Sequence, residues 1–381
     1  MAGLTVADVC AALDRRYPPT LAEQWDRNGL YCGDPAASVT GVLFAVDPTD
    51  AVIAEAVAAG CELIVTHHPL LLRGIHSVTS ATPKGRRLLA MVRAGISAFN
   101  VHTPADSAAP GVSDAVADLL GLTGVRPLDA HVAEPRDKLV TFVPADHVDA
   151  VVDALAAAGA GTIGAYDRCY FAVAGSGGFR ASADAQPFTG APGQITEVAE
   201  TRLELVLPRR RREDVTAALR SVHPYETPAF DLLPLADAGV GTGIGRIGTL
   251  PAPLPARDLA ARLAASLPAT VAGLRLGGDP ERVVSRVAIL AGAGDSHLDA
   301  ARAAGADAYV TSDLRHHPAE EALAWDDAPV LVDVPHWACE WAWLPHAAAA
   351  VREDLSGHDL TLHVSTLRTE PWSLHVNGGR S

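Results

Sequence analysis

Residues 56–68 read AVAAGCELIVTHH, and residues 301–311 read ARAAGADAYVT, with His316-His317-Pro318 following soon after. Each stretch is a helix end, a glycine turn and an apolar strand, and each leads to a His-His-Pro. A further apolar strand precedes each one, at residues 42–47 and 287–292. A chain that carries one such unit twice, far apart, is constrained to two related α/β halves with something between them. In the first half the apolar pattern predicts helices over 5–16, 50–59 and 83–94 and strands over 39–46, 61–66 and 96–101. In the second half it predicts helices over 257–267, 296–304, 320–324 and 340–351, and strands over 283–290, 307–311, 330–334 and 360–364. The strands are apolar on both faces, as buried parallel strands are. Alternation of strand and helix implies a mostly parallel sheet covered by helices.

The intervening segment has a different order. A strand over 138–143 leads to a helix over 146–158 and a short strand over 170–174. A glycine-rich stretch at 175–193 reads as loop. A strand over 197–207, a helix over 211–220 and a strand over 229–235 follow. The order βαββαβ is the ferredoxin-like arrangement. The expected organisation is a first half over 1–127, an inserted domain over 128–235 that folds as a unit, and a second half over 236–381. Glycines at 239–248 with Arg246 read as a tight loop at the return, with Arg246 a candidate anion contact.

Composition narrows the function classes. With 381 residues the chain exceeds one ordinary core. At 49% hydrophobic and 20% charged it is not globally disordered. The formal charge of 30 − 45 = −15 repels phosphate backbones, which disfavours a nucleic-acid partner. The basic run Arg209 to Arg212 adjoins Glu213 and Asp214 and reads as a solvated helix start. Five widely spaced cysteines without a CxxC argue against a disulfide framework or a thiolate zinc site. No apolar run of ~18 residues and no signal-peptide pattern occurs, so a soluble cytoplasmic protein with no membrane partner is expected.

The polar residues with chemical potential gather where strands end, the place where open parallel sheets bind ligands. His67 and His68 close one strand. His102 and Asp106 close another. Asp313, His316 and His317 follow a third, and His336 and Glu340 close a fourth. His102 and Asp106 are four apart, as are His336 and Glu340, so on a helical turn each pair shares a face. Imidazole and carboxylate donors without thiolate suit Mn, Fe or Zn. The set exceeds what one ion needs and matches two neighbouring ions. Asp47 reads either as a support for these ligands or as a helix cap.

These motifs resemble the NIF3-like (DUF34) family, the GTP cyclohydrolase 1 type 2 homologues. The resemblance rests on Ile64-Val65-Thr66-His67-His68-Pro69-Leu70, on Val101-His102-Thr103-Pro104-Ala105-Asp106, on Gly243 to Gly248, on Thr311-Ser312-Asp313 with His316-His317, and on His336-Trp337-Ala338-Cys339-Glu340. His223-Pro224-Tyr225-Glu226 resembles the motif of the PII/CutA-like insert of the longer members. The resemblance implies an α/β NIF3-like fold with an inserted ferredoxin-like domain. It implies two divalent ions held by His67, His68, Asp106, His336 and Glu340, with Asp106 bridging. His102 and His317 would lie near that centre, either supporting the ligands from behind or transferring protons. It also implies a homohexameric toroid and a small-molecule ligand. Pro104, Pro335 and Cys339 depart from the family pattern, which usually has asparagine, glycine and a hydroxyl residue there.

Two functions follow from this set. One is a metal-dependent hydrolase of a small nucleotide or phosphoester, with Arg73, Arg246 or Arg315 contacting the anion. The other is a non-enzymatic metal-binding regulatory or scaffold assembly. An accessible ligand position at the metals distinguishes the first.

Overall fold

The computed structural model describes residues 3–131, 135–236 and 241–376. The first segment runs α1 (Val6–Arg16), β1 (Gly29–Cys32), β2 (Gly41–Ala45), α2 (Asp50–Ala59), β3 (Leu63–Thr66), α3 (Pro83–Ala94), β4 (Ser97–Asn100), α4 (Thr103–Ser107), α5 (Val112–Leu120) and β5 (Thr123–Ala130). The middle segment runs β6 (Arg136–Val143), α6 (Val148–Ala157), β7 (Phe171–Arg180), β8 (Ile195–Pro208), α7 (Arg212–Val222) and β9 (Phe230–Pro234). The return runs β10 (Gly243–Pro255), α8 (Ala256–Ser266), β11 (Arg275–Gly277), β12 (Val283–Ala293), α9 (Leu298–Ala303), β13 (Ala308–Ser312), α10 (His316–Leu323), β14 (Val330–Asp333), α11 (His336–Trp341), α12 (Leu344–Asp354) and β15 (Thr361–Val364). The helix starts are chemically marked. Thr5, Thr49 and Thr82 each accept from a first-turn amide, and Asp8 completes a capping box with Thr5.

The chain divides into two compact units, 1–131 with 241–381, and 132–240. The larger unit has two mixed sheets. The first has the order β1–β4–β3–β2–β15, parallel except for β1. The second has the order β11–β14–β13–β12–β10–β5, in which only β12, β13 and β14 are mutually parallel. The mostly parallel expectation thus holds for the strands that alternate with helices and fails at the sheet edges. A shared core lies between the two sheets: Phe44, Val65 and Phe99 from the first and Ile289, Val310 and Val332 from the second, with Leu13, Leu259 and Trp343 from helices. Helices α2 and α3 cover the far face of the first sheet, and α9 and α10 that of the second. This layering leaves β2, β3, β4 and β12, β13, β14 with their carboxyl ends free to carry polar residues.

Two glycine-rich stretches read as loops are strand in part, over 175–180 and from 243 onward, while 181–193 is loop as expected. β10 begins at Gly243, hydrogen-bonded to β5 on one side and β12 on the other. A Cβ on Gly243 would lie 2.2 Å from the Asp129 carbonyl oxygen, and one on Gly245 would lie 2.8 Å from that of Ile289. Both glycines also have positive φ. Close backbone approach, not chain reversal, is what these glycines serve. In the same way β7 continues through Gly175, Gly177 and Gly178 to Arg180, paired with β8 throughout. β5 runs past residue 127 because it is the partner of β10.

The smaller unit is one antiparallel sheet in the order β7–β8–β6–β9, with α6 and α7 packed on it over Leu139, Leu203, Leu205 and Leu207. The arginine run at its helix start is not merely solvated. Arg209 and Arg212 both donate to Asp137, whose side chain is inaccessible to solvent.

Candidate metal centre

Six side chains meet at the strand ends of the larger unit. His67 and His68 follow β3, and their backbone amides still donate to Ala45 and Val46, so the ladder with β2 holds both in place. His102 follows β4 and caps α4, which turns Asp106 back onto the same side. His336 opens α11 after β14, and one helical turn brings Glu340 beside it, Nε2 to Oε1 2.8 Å. The i,i+4 reading of both pairs is thereby realised on two short helices.

Glu340 is the hub. It is almost fully buried, and its carboxylate lies 3.4 Å from His67 Nε2, 3.1 Å from His68 Nε2 and 2.8 Å from His336 Nε2. Asp106 Oδ1 lies 3.6 Å from His67 Nε2. The donor atoms form two overlapping groups, His67–His68–His102 and His68–His336–Glu340, each with all atoms within 4.8 Å of one another.

The other ring nitrogens are committed elsewhere. His67 Nδ1 donates to the Val101 carbonyl at 3.0 Å. His68 Nδ1 donates to Asp47 at 2.8 Å, His102 Nδ1 to Asp26 at 2.8 Å, and His336 Nδ1 to Asp313 at 2.6 Å. These acceptors fix the tautomer and leave every Nε2 lone pair facing the cluster, the second-layer arrangement that metal-binding histidines use. Asp47 is thus a histidine support, while Thr49 takes the cap of α2.

The buried donors fit a cation. His67 Nε2, His336 Nε2, Asp106 Oδ1 and Glu340 Oε2 are shut off from solvent without a hydrogen-bond partner. Orphaned polar atoms converging on one point are costly unless something positive sits among them. Gly292 makes room: a Cβ there would lie 2.9 Å from Glu340 Oε1. Without a metal, protons take over part of that role. Burial opposes charge on His68, but Glu340 and Asp47 outweigh it and push the imidazole up to about 10. The same contest at His336, with Glu340 and Asp313, pushes it up to about 11. Glu340 is held far below the usual carboxylate range by the surrounding histidines against the effect of burial, while burial raises Asp106. The cluster is therefore able to bind metal, with nitrogen and oxygen donors only.

The sequence profile of the Duf34/NIF3 (NGG1p interacting factor 3) family matches residues 4–371. The chain belongs to this family. A Duf34/NIF3 relative from Mycobacterium tuberculosis, a "GTP cyclohydrolase 1 type 2 homolog", is 49% identical over 376 residues, 98% of each chain. One of the same name from Streptomyces coelicolor is 36% identical, covering 97% of this chain and 94% of its own. Among solved structures, a Bacillus cereus protein related to NIF3 is 31% identical with a TM-score of 0.70, covering 98% of this chain and all of the other. Staphylococcus aureus protein SA1388 is 26% identical with a TM-score of 0.76 and the same coverage.

Within this Duf34/NIF3 chain the structure distributes the remaining candidates as follows. Asp313 joins the site through His336. His316 and His317 stand exposed at the start of α10, their rings against each other, and no contact among the described residues ties His317 to the cluster. Arg246 is buried and fully spent: it bonds Asp114 and the carbonyls of Gly243, Gly245 and Ala108, so it is not free to hold an anion. Arg315 is bound to Asp295. Asp26 escaped the sequence reading. It sits in Trp25-Asp26-Arg27-Asn28, ahead of the short edge strand β1, with no periodicity to mark it, yet it orients His102 and accepts from Thr103. Hydrogen bonds from His102 and Thr103 overcome its burial and keep it below the usual carboxylate range.

Among the described residues no helix is long and apolar enough to cross a membrane.

Proposed function

We propose that this chain is a dinuclear metal-dependent hydrolase of a small nucleotide or phosphoester. The observation that carries the reading is the convergence of orphaned buried donors on a cluster that remains open to ligand. His67, His68, Asp106, His336 and Glu340 would hold two divalent ions, of zinc, iron or manganese, and Nε2 of His102 completes one of the two groups. When bound, such ions supply Lewis-acid polarisation and a nucleophile available at neutral pH. The chain's own residues do the rest. Asp47, Asp26 and Asp313 keep three imidazoles oriented through their Nδ1 protons. Trp343, edge-on to His67 at 5.5 Å, walls the buried side against water. His102, only partly buried and backed by Asp26, is placed to pass a proton; His317 has no such position.

Accessibility favours hydrolysis over a closed storage or scaffold site. A cavity of about 700 Å³ opens beside His68 and His336, lined also by Trp337, Arg275 and Trp372. That size suits a small molecule. The name shared by the relatives makes GTP one compound to test. The test is metal analysis and anomalous scattering on protein purified without added metal, followed by a nucleotide and phosphoester screen with and without chelator. Two ions and chelator-sensitive turnover are expected. One ion with no turnover would overturn the reading.

The resemblance also leads us to assign a homohexameric ring, and exposed Trp25, Trp372 and Leu374 are apolar surface that such an assembly could cover. Light scattering giving a monomer would remove it. For residues 132–240 we infer a ferredoxin-like, PII/CutA-like domain. The supports are the βαββαβ order with strands sequenced β7–β8–β6–β9, and the ordered motif in which His223 donates to the Phe142 carbonyl and Tyr225 to Glu200.

A further inference from the structure

Arginine does nearly all the cationic work in this chain: of 30 basic residues only Lys84 and Lys138 are lysines. Lys138 is paired, its ammonium 2.9 Å from Glu204. Lys84 is not. It lies in the first turn of α3, half-buried, and makes no hydrogen bond or ion pair with any described residue.

It sits where such a charge can be used. Lys84 lines a second cleft, of about 940 Å³, that also contains His68, a donor of the metal cluster. The other charged groups of this cleft are already engaged. Asp47 accepts from His68 Nδ1 and from the Thr369 hydroxyl, and Arg87 bonds Asp50. His76 and Ser77 add polar atoms on the exposed loop before α3. Asp50 is shared by Arg86 and Arg87, so one carboxylate faces two guanidiniums, and Lys84 adds a further positive charge that no described residue pairs.

The cleft on the other side of His68 has the opposite balance. There Asp47 faces His68, Asp313 faces His336 and Asp333 faces Arg275, which among the described residues leaves Glu370, bonded to the Val271 amide, as the carboxylate without a cationic partner. The two openings share Asp47, His68, Thr369 and Pro371, so they flank one metal cluster and differ in sign. An anionic group on a ligand held at His68 has one favourable direction, toward α3.

We propose that Lys84 is the centre of an anion subsite that holds a phosphate or carboxylate group of the molecule bound at the metal cluster. The proposal rests on the metal-centre reading and names the chemistry of its ligand. Lysine suits the task as a compact point charge that follows a phosphate without demanding fixed geometry. The residue touches no metal donor, so its role separates from metal loading.

The test uses the full-length, metal-loaded protein and its Lys84→Gln and Lys84→Arg variants. Binding of inorganic phosphate and of acetate is measured by titration calorimetry, with metal content read by mass spectrometry on the same samples. Loss of one charge-assisted hydrogen bond should weaken phosphate binding about tenfold or more in Lys84→Gln. Lys84→Arg should retain most of the affinity, and all three proteins should carry the same metal. A larger loss for phosphate than for acetate assigns the subsite to phosphate; an equal loss assigns it to any oxyanion. Unchanged binding of both anions in Lys84→Gln overturns the proposal, as does an equal loss in Lys84→Arg, since charge would then not be the cause. Lys84-dependent binding in a protein that hydrolyses nothing would retain the subsite and remove the hydrolase. Hydrolysis that continues with Lys84-independent binding would do the reverse.

Discussion

Each of the three partly exposed histidines of the cluster owes its direction to one carboxylate behind it, and that dependence is measurable. Asp313→Asn removes the charge that faces His336 Nδ1 at 2.6 Å and leaves the size unchanged. Metal affinity should fall about 10- to 100-fold, as chelator competition would show, with the circular dichroism unchanged. No change in affinity would mean that His336 is not a ligand. Protonation provides a second test. The raised values of about 10 and 11 at His68 and His336 mean that both are imidazolium at neutral pH in the metal-free protein. Their folded values lie above the unfolded one near 6.5. That stabilisation of the metal-free form is thus complete below about pH 6.5 and is lost as pH rises through about 10 to 11. A cation needs the neutral rings, so loading at pH 7 must release protons, and affinity must rise with pH across this range. Calorimetry in buffers of different ionisation enthalpy should find more than one proton released per chain. Net release of none would contradict it. At this scale the sequence was informative where chemistry repeats a spacing, as in His67-His68 and His336 with Glu340. It was silent on Asp26, whose importance comes from where β1 places it and not from any pattern around it.

Elements were legible where apolar periodicity was strong and misread where glycine stood for something other than a turn. The strands β2, β3 and the 287–291 stretch of β12 announce themselves by apolar runs. β7 and the start of β10 do not, because their glycines serve contact with a neighbouring backbone or side chain. Gly177 shows this: a Cβ there would meet the Glu200 carboxylate at 2.0 Å. Arg246 illustrates the same limit, since a basic residue among glycines looks like an anion site until its partners are seen. The guanidinium is almost wholly buried in β10, and its counter-charge is Asp114 in the first turn of α5, 2.8 Å away. Asp114 also accepts from the Gly111 amide at 2.7 Å. Asp114→Ala therefore strands a buried cation and uncaps a helix together. A loss of about 3 kcal/mol or more in chemical denaturation is expected. A loss below about 1 kcal/mol, the range of an exposed pair, would show that Arg246 finds water instead.

At the scale of the whole molecule, the repeat of strand, helix and His-His-Pro pointed to an interrupted α/β unit, and the chain does leave and re-enter one sheet. What the sequence could not reveal was the manner of the exit. β5 and β10 are antiparallel neighbours, in one register from Arg126 opposite Ile247 to Ala130 opposite Gly243, with an irregularity before Thr123 opposite Thr249. The ladder closes with the His131 amide donating to the Thr242 carbonyl at 3.0 Å. The smaller unit thus occupies the position of a hairpin turn. Its own fold is held by its own core, so the larger unit loses no packed residue of its shared core if that segment is removed. Loop closure also favours removal, because a short turn costs less entropy than a long excursion. Replacing residues 132–240 by an Asn-Gly turn, the natural connection for such a ladder, should give a folded protein. It should keep the metal content of the full chain and melt within a few degrees of its main transition. All six side chains of the cluster lie outside the removed segment. A shortened protein that folds but carries no metal would show that the smaller unit completes the metal centre, and one that fails to fold would show that the two units are not separable.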